Sequence, residues 1–175
     1  ALAPDESWVV FAASPGRFTR HASFPDLPSA YVRLGLGDSR RLVLPGNTRE
    51  SDAAGGFSPD GRWYAIGSGL GFVDLIDTGT WRRAATLAGA KSGMYSPVFS
   101  ADGARLAIAG SGDDSLMIWD TATRERLLAL PSTGSVLGQT ALSPDGRWIG
   151  ARTAGGPSSH AGAERGALYL WRAPT

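Results

Sequence analysis

A seven-residue pattern that recurs along the chain constrains its fold more than any other feature. The segment Phe57–Trp63 (FSPDGRW) returns as Phe99–Arg105 and again as Leu142–Trp148, after intervals of 42 and 43 residues. A weaker copy, Leu2–Trp8, lies 55 residues before the first of these, because extra sequence around 15–29 lengthens the interval. Self-similarity at a period of roughly 20–50 residues indicates an array of supersecondary units. The sequence therefore predicts four copies of one unit.

Short apolar runs follow the turn of each copy at regular intervals. An Asp-Gly pair between two apolar runs is a strong hairpin signal, because the turn needs a positive φ that glycine adopts at little steric cost. We therefore expect about four short strands in each copy, joined by Gly, Pro, Asp and Thr turns. The prediction is one all-β domain over 1–175, with copies at about 1–46, 47–89, 90–132 and 133–175. The first copy is expected to lack most of its inner strand, and the last to lack its outer strand.

Composition excludes several other classes of protein. The 24 glycines and 11 prolines exclude a helix bundle or coiled coil, since they cost about 1 and 3 kcal/mol each, relative to alanine, inside a helix. The chain has no cysteine, which excludes a disulfide framework and cysteine-based metal or thiol chemistry. The net charge of +1 gives no electrostatic reason to bind nucleic acid or an acidic membrane. No apolar run reaches the roughly 18 residues that a membrane span needs.

Two further features bear on origin and location. Lys91 is the only lysine among 17 basic residues, and Asn47 is the only asparagine, which is the composition expected of a GC-rich bacterial genome. The first residues show neither the charged region nor the apolar region of a signal peptide. We therefore expect a cytoplasmic bacterial protein, with a periplasmic or secreted location as the alternative.

The repeat resembles that of the WD-repeat β-propeller family in degenerate form. The family's turn between strands a and b matches Ser58–Gly61, Ser100–Gly103 and Ser143–Gly146, and its Trp-Asp pair at the end of strand c matches Trp119-Asp120. The family's Gly-His pair is absent before strand a, and the first copy also resembles the repeats of TolB-like propellers. The resemblance implies a β-propeller of four-stranded antiparallel blades, one blade for each copy.

Four blades of this type cover about half of the seven- or eight-bladed ring that the family usually forms. We expect the chain to be the C-terminal part of a longer propeller, whose remaining blades lie in the same protein or on another polypeptide. Two alternatives stay open: two chains that pair into an eight-bladed homodimer, and a closed four-bladed ring.

Two long insertions are the candidate partner-binding segments. Strand alternation places the a–b and c–d turns on one face of the propeller and the b–c and d–a loops on the other. The insertions at 15–29 and 154–165 are both b–c loops, so they rise from the same face. The first carries cationic and aromatic side chains, the types that dominate binding hot spots. The alternatives are a loop that packs over its own blade and, for the second insertion, a mobile loop. The candidate residues are Arg17, Phe18, Arg20, His21 and Phe24, with His160 and Arg165 in the second insertion.

Nothing in the sequence supports catalysis. There is no Gly-x-Ser-x-Gly elbow and no His-Glu-x-x-His motif, and His21 and His160 lie far apart in the chain. The glycine-rich run at 67–71 precedes a predicted strand, whereas a phosphate loop opens a helix. We predict no enzyme activity, no cofactor and no metal site. The strand tryptophans are expected to pack in the core between blades; they are Trp63, Trp81, Trp119, Trp148 and Trp171.

The leading functional hypothesis is a non-catalytic scaffold for protein–protein interaction, serving as a recognition or sensor module of a multidomain protein. The alternatives are a noncatalytic substrate-gating propeller of a peptidase or hydrolase, suggested by the TolB-like first copy, and a self-assembling half-propeller. The expected partners are proteins, including the remaining blades or another domain of the same protein.

Overall fold

Every regular element described in this computed structural model is a β-strand. The description covers residues 3–5, 8–13, 30–35, 41–44, 55–68, 70–89, 93–110, 116–131, 137–153 and 167–172. Within those ranges no helix is long and apolar enough to cross a membrane. The strands are β1 Trp8–Ala13, β2 Ala30–Gly35, β3 Arg41–Leu44, β4 Gly55–Phe57, β5 Trp63–Gly67, β6 Phe72–Asp77, β7 Arg82–Ala88, β8 Met94–Phe99, β9 Arg105–Gly110, β10 Leu116–Asp120, β11 Arg126–Leu130, β12 Leu137–Leu142, β13 Trp148–Thr153 and β14 Leu168–Arg172.

The strands form antiparallel sheets in chain order, one for each copy of the repeat. Blade 1 is β1-β2-β3, blade 2 is β4-β5-β6-β7, blade 3 is β8-β9-β10-β11 and blade 4 is β12-β13-β14. Short runs of apolar residues that are bounded by turns favour antiparallel sheets in which consecutive strands are neighbours. The all-β prediction of propeller-type blades is confirmed.

Blades 2, 3 and 4 stack face to face, and their shared faces form the hydrophobic core. Between blades 2 and 3, side chains such as Leu75 and Val73 pack against Met117 and Trp119 in one cluster. Between blades 3 and 4, a second cluster joins residues such as Ile118 to Ile149. The middle strands of blade 3, β9 and β10, are therefore apolar on both faces and buried almost throughout.

The first strands of consecutive blades approach each other closely. A Cβ atom on Gly56 of β4 would lie 2.6 Å from the carbonyl oxygen of Pro97 in β8, so only glycine fits there. On the other side of blade 3, the hydroxyl of Ser96 donates a 3.0 Å hydrogen bond to the carbonyl oxygen of Gly138 in β12. These contacts make β4, β8 and β12 the inner strands of a radial arrangement.

A Ser-x-Asp-Gly turn joins the first two strands of blades 2, 3 and 4 by the same hydrogen bonds. In blade 2, Ser58 Oγ donates to Asp60 Oδ1 at 2.5 Å and accepts from the amide of Trp63 at 2.8 Å. Gly61 has a φ of 71° and donates its amide to the carbonyl oxygen of Ser58. The hydrogen bond from Ser58 lowers the pKa of the Asp60 carboxyl below its ordinary value. Serine and aspartate therefore close this turn locally, before any tertiary contact.

The tryptophan prediction is confirmed in part. Trp119 is 2% exposed in the core, and Trp63, Trp81 and Trp171 are partly buried against the clusters. Trp148 contradicts the prediction, because 47% of its surface is exposed. It occupies the position of Trp63 in the repeat, but blade 3 packs on Trp63, whereas no described residue covers the corresponding face of blade 4.

Candidate interaction surfaces

The partner-binding residues predicted from the sequence lie outside the described part of the structure. Arg17, Phe18, Arg20, His21 and Phe24 fall in 14–29, and His160 and Arg165 fall in 154–166. Their role stays a prediction.

The face of blade 4 that points away from blade 3, here called the outer face, is the most apolar exposed surface among the described residues. Leu168 and Leu170 of β14 are 69% and 63% exposed. Their neighbours in the strand, Tyr169 and Trp171, point the other way and stack on each other at 5.6 Å in the cluster shared with blade 3. Leu170 lies over Gly150 of β13, where an added Cβ would meet its Cδ2 at 3.4 Å. The outer face thus has an aliphatic centre.

Equivalent positions in the preceding blades are buried. The strand registers align Leu170 with Leu75 and Ile118, and Leu168 with Val73 and Leu116. The exposed fractions of these four partners are 2%, 5%, 0% and 0%, respectively. In blades 2 and 3 the next blade covers these positions. The exposure of the outer face therefore reflects its place in the stack and not a different local sequence.

Two arginines flank the aliphatic centre of the outer face. Arg152 stands beside Leu168 in the register and donates from Nε to Gln139 Oε1 at 2.6 Å. Arg172 stands opposite Trp148 at the other end. The residues in the place of Arg172 in blades 2 and 3 are Asp77 and Asp120. Blade 4 therefore presents a cation where its predecessors present an anion.

The aspartates at that position close the turn between the third and fourth strands. Asp77 Oδ1 accepts from the Thr80 amide at 2.8 Å, and Asp120 Oδ1 accepts from the Thr123 amide at the same distance. These backbone hydrogen bonds lower the pKa of both carboxyls. Arg172 cannot accept such bonds, and it is exposed at the end of β14.

The residues of the outer face were not among the predicted site residues, although one signal for them is present in the sequence. The run Leu168–Trp171 (LYLW) is apolar at every position, and an uninterrupted apolar run indicates a strand that is buried on both faces. What it offers chemically is an apolar binding surface with cationic ends. Among the residues described, no group of three or more His, Asp or Glu side chains could hold a metal ion.

The family model "WD domain, G-beta repeat" matches residues 81–120, a stretch that ends on the Trp119-Asp120 pair. The chain is 33% identical over 121 residues to "WD repeat-containing protein 1" of Rattus norvegicus. That alignment covers 67% of this chain and 18% of the relative, so the chain spans less than a fifth of the relative's length.

Proposed function

The chain belongs to the WD-repeat family, and from that premise we propose that it is a non-catalytic scaffold for protein–protein interaction, part of a larger propeller whose next blade covers the outer face of blade 4. The observation that carries the proposal is the exposure of Leu168 and Leu170 at positions that are buried in blades 2 and 3. The protein is further proposed to be a cytoplasmic recognition module of bacterial origin, and its composition supports the origin alone.

The hydrophobic effect supplies the driving force for covering this face. Full burial of a leucine side chain contributes about 1.5–3 kcal/mol, and Leu168, Leu170 and Trp148 are all at least 47% exposed. Contiguous apolar surface rimmed by polar residues marks an interaction site in soluble proteins. A sheet of the same geometry fits best, because a sheet already covers the equivalent face of blades 2 and 3.

The charges on the outer face specify the covering blade further. An arginine that is buried without a partner costs several kcal/mol of desolvation. A covering sheet must therefore leave Arg152 and Arg172 at its rim or place carboxylates against them. We propose that it does the second, which would distinguish this junction from the apolar junctions between blades 2, 3 and 4.

Thiol labelling tests the proposal cleanly, because the chain has no native cysteine. Leu168→Cys places a thiol on the outer face. Leu127→Cys is the matched control, since Leu127 of β11 is 52% exposed on the outer edge of blade 3. The rates of maleimide labelling are measured in the 175-residue chain and in the intact protein, with the labelled site read by peptide mass mapping.

The expected result is that both thiols label at similar rates in the 175-residue chain, and that only the thiol at 168 becomes protected in the intact protein. Protection at 168 that appears in the chain alone and rises with its concentration identifies a second copy as the cover, which overturns the larger propeller in favour of the homodimer. Equal labelling in every sample overturns the proposal altogether.

A further inference from the structure

A groove of about 650 Å³ lies between the segment 3–5 and the two neighbouring turns of blade 2. Its volume is within the range of roughly 300–1,000 Å³ that is typical of ligand sites. It is on the face of the a–b and c–d turns, away from the outer face of blade 4. Its lining includes Asp5, Phe57, Asp60, Arg62 and Trp81.

The groove lies where the turn of one copy of the repeat contacts the turn of the next copy. The Cδ atom of Pro4 lies 3.8 Å from the place of a Cβ on Gly61, and Pro59 stands in the same way over Gly103 at the next junction. The proline of each of these two turns thus lies next to the glycine of the following turn. The two turns of blade 2 at this junction are closed by hydrogen bonds of their own, from the Gly61 amide to the Ser58 carbonyl and from the Trp81 amide to the Asp77 carbonyl, which favours binding by a preformed site.

Trp81 distinguishes this groove from the next junction. It has a φ of 54°, in the left-handed region, where a bulky residue is unusual. Arg124 holds the equivalent turn position in blade 3, with a φ of 64°, and is exposed. The turn therefore does not require tryptophan. The indole of Trp81 is partly buried against Tyr64 and its neighbours and also lines the groove.

The groove combines an apolar wall with an excess of negative charge. Phe57 and Trp81, both partly buried, form the aromatic part of the lining, and Asp5 and Asp60 contribute carboxylates. The one basic residue of the lining is Arg62, whose guanidinium lies over the ring of Trp63 at 4.9 Å from its centroid. An apolar side chain next to a cationic one complements this surface.

We propose that this groove binds an extended protein segment that places an aliphatic or aromatic side chain against Trp81 and Phe57 and a neighbouring lysine or arginine against Asp5 and Asp60. The proposal rests on the scaffold function and names the chemistry of one partner. Tryptophan at the centre of a preformed site is typical of binding hot spots. The carboxylates add selection by charge, since an acidic segment would meet like charge there.

The test uses two short peptides and the whole 175-residue chain labelled with ¹⁵N. The probes are acetyl-Gly-Leu-Arg-Gly-amide and acetyl-Gly-Leu-Glu-Gly-amide. The readouts are the Trp81 indole N–H and the amides of Gly61 and Gly79, followed by chemical shift. We expect saturable shifts with the arginine peptide, with a Kd of about 0.1–1 mM, and at least tenfold weaker binding of the glutamate peptide.

Three variants separate binding from folding. Trp81→Arg introduces the residue type that blade 3 has at this turn position, Arg124, and is expected to weaken binding of the arginine peptide about tenfold or more. Arg124→Ala changes the matched turn and should leave its affinity unchanged. Asp5→Asn, a nearly isosteric change, should reduce the preference for arginine over glutamate even if Trp81→Arg fails to fold.

The proposal is overturned by an absence of shifts at these three sites, by equal affinity for the two peptides, or by unchanged affinity in a folded Trp81→Arg variant. Protection of a thiol at 168 in the intact protein is independent of all these results. If the peptides fail to bind but the thiol at 168 is protected in the intact protein, the groove proposal alone is refuted. If the peptides bind as expected but the thiol at 168 is not protected, the larger propeller alone is refuted.

Discussion

The hydroxyl of Thr78 donates a 2.6 Å hydrogen bond to the carbonyl oxygen of Gly61, which lies 17 residues earlier in the chain. Thr121 makes the same bond to Gly103 in blade 3, at 2.7 Å. The amides of both threonines also bond across, to the carbonyl oxygens of Arg62 and Ala104. These bonds tie the c–d turn to the a–b turn and confirm that the two turns lie on one face of each of these blades.

Removing this hydroxyl is predicted to destabilise the fold. Thr78→Val and Thr121→Val each leave a part-buried carbonyl oxygen with one bond fewer, and we expect each to lower the free energy of unfolding by about 1–2 kcal/mol. Urea denaturation followed by tryptophan fluorescence measures the change. Thr123→Val is the control, because the Thr123 hydroxyl bonds only at the exposed end of its own turn, where it accepts a 3.3 Å bond from the Glu125 amide and donates to the Asp120 carboxylate. A loss for the control as large as for Thr121→Val would contradict the prediction.

Gly56→Ala is predicted to weaken the junction between blades 2 and 3. The new Cβ would lie 2.6 Å from a backbone oxygen of Pro97, and backbone cannot move aside as a flexible side chain can. Overpacking of this kind costs about 1–3 kcal/mol. Gly79→Ala is the matched control, since its Cβ would meet only the Asp77 carboxylate at 3.4 Å. Thermal unfolding of the two variants should separate them, and equal melting temperatures would refute the steric account.

The Ser-x-Asp-Gly turns predict a loss of stability in acid. Hydrogen bonds from Ser58, Ser100 and Ser143 lower the pKa of the adjacent aspartates in the folded chain from the ordinary value of 3.8. Between the lowered folded pKa and the ordinary value the unfolded state binds more protons, so the contribution of these aspartates to stability is fully present above about pH 5 and is lost as the pH falls through the folded pKa. Asp102→Asn should make the urea midpoint less dependent on pH below about pH 4. If the urea midpoint of Asp102→Asn depended on pH as strongly as that of the unchanged chain, the Ser-x-Asp-Gly turn would not be a source of the acid sensitivity.

Truncation of two leucines at the same repeat position is predicted to change stability by very different amounts. Leu75→Ala removes a core side chain that is 2% exposed and should cost about 2–5 kcal/mol. Leu170→Ala acts at a position that is 63% exposed and should change the stability of the 175-residue chain by less than about 0.5 kcal/mol. Chemical denaturation of the chain decides this. Comparable losses in the two variants would mean that the outer face is already covered.

Asp74 offers a test of a buried charge. It is 4% exposed, and its carboxylate accepts a 2.6 Å hydrogen bond from Thr86 Oγ1 and lies 3.5 Å from Arg83 Nη1. Thr86→Val should cost about 1–3 kcal/mol, because it removes a partner from a buried anion. Asp74→Met introduces the residue that blade 3 has at this position, Met117, and should be neutral or stabilising. Equilibrium unfolding of both variants measures the contrast, and destabilisation by Asp74→Met beyond that of Thr86→Val would contradict it.

The sequence by itself determined the repeat, its turns and the presence of short strands between them. The strands of blades 2 and 3 do follow one another at such turns, for example β6 Phe72–Asp77 and β11 Arg126–Leu130. The reason is that the bonds of the Ser-x-Asp-Gly turn close within six residues, so the local sequence contains both partners. The prediction of blades therefore needed no knowledge of how they stack.

Only the tertiary structure decided which repeat positions are buried. Trp63 and Trp148 share a local sequence, yet Trp63 packs in a cluster while Trp148 is 47% exposed. The need for glycine at 56 and the groove beside Trp81 likewise depend on a neighbouring segment that is distant in sequence. Burial depends on what lies against a face, and a repeat that specifies each blade identically does not specify its neighbours.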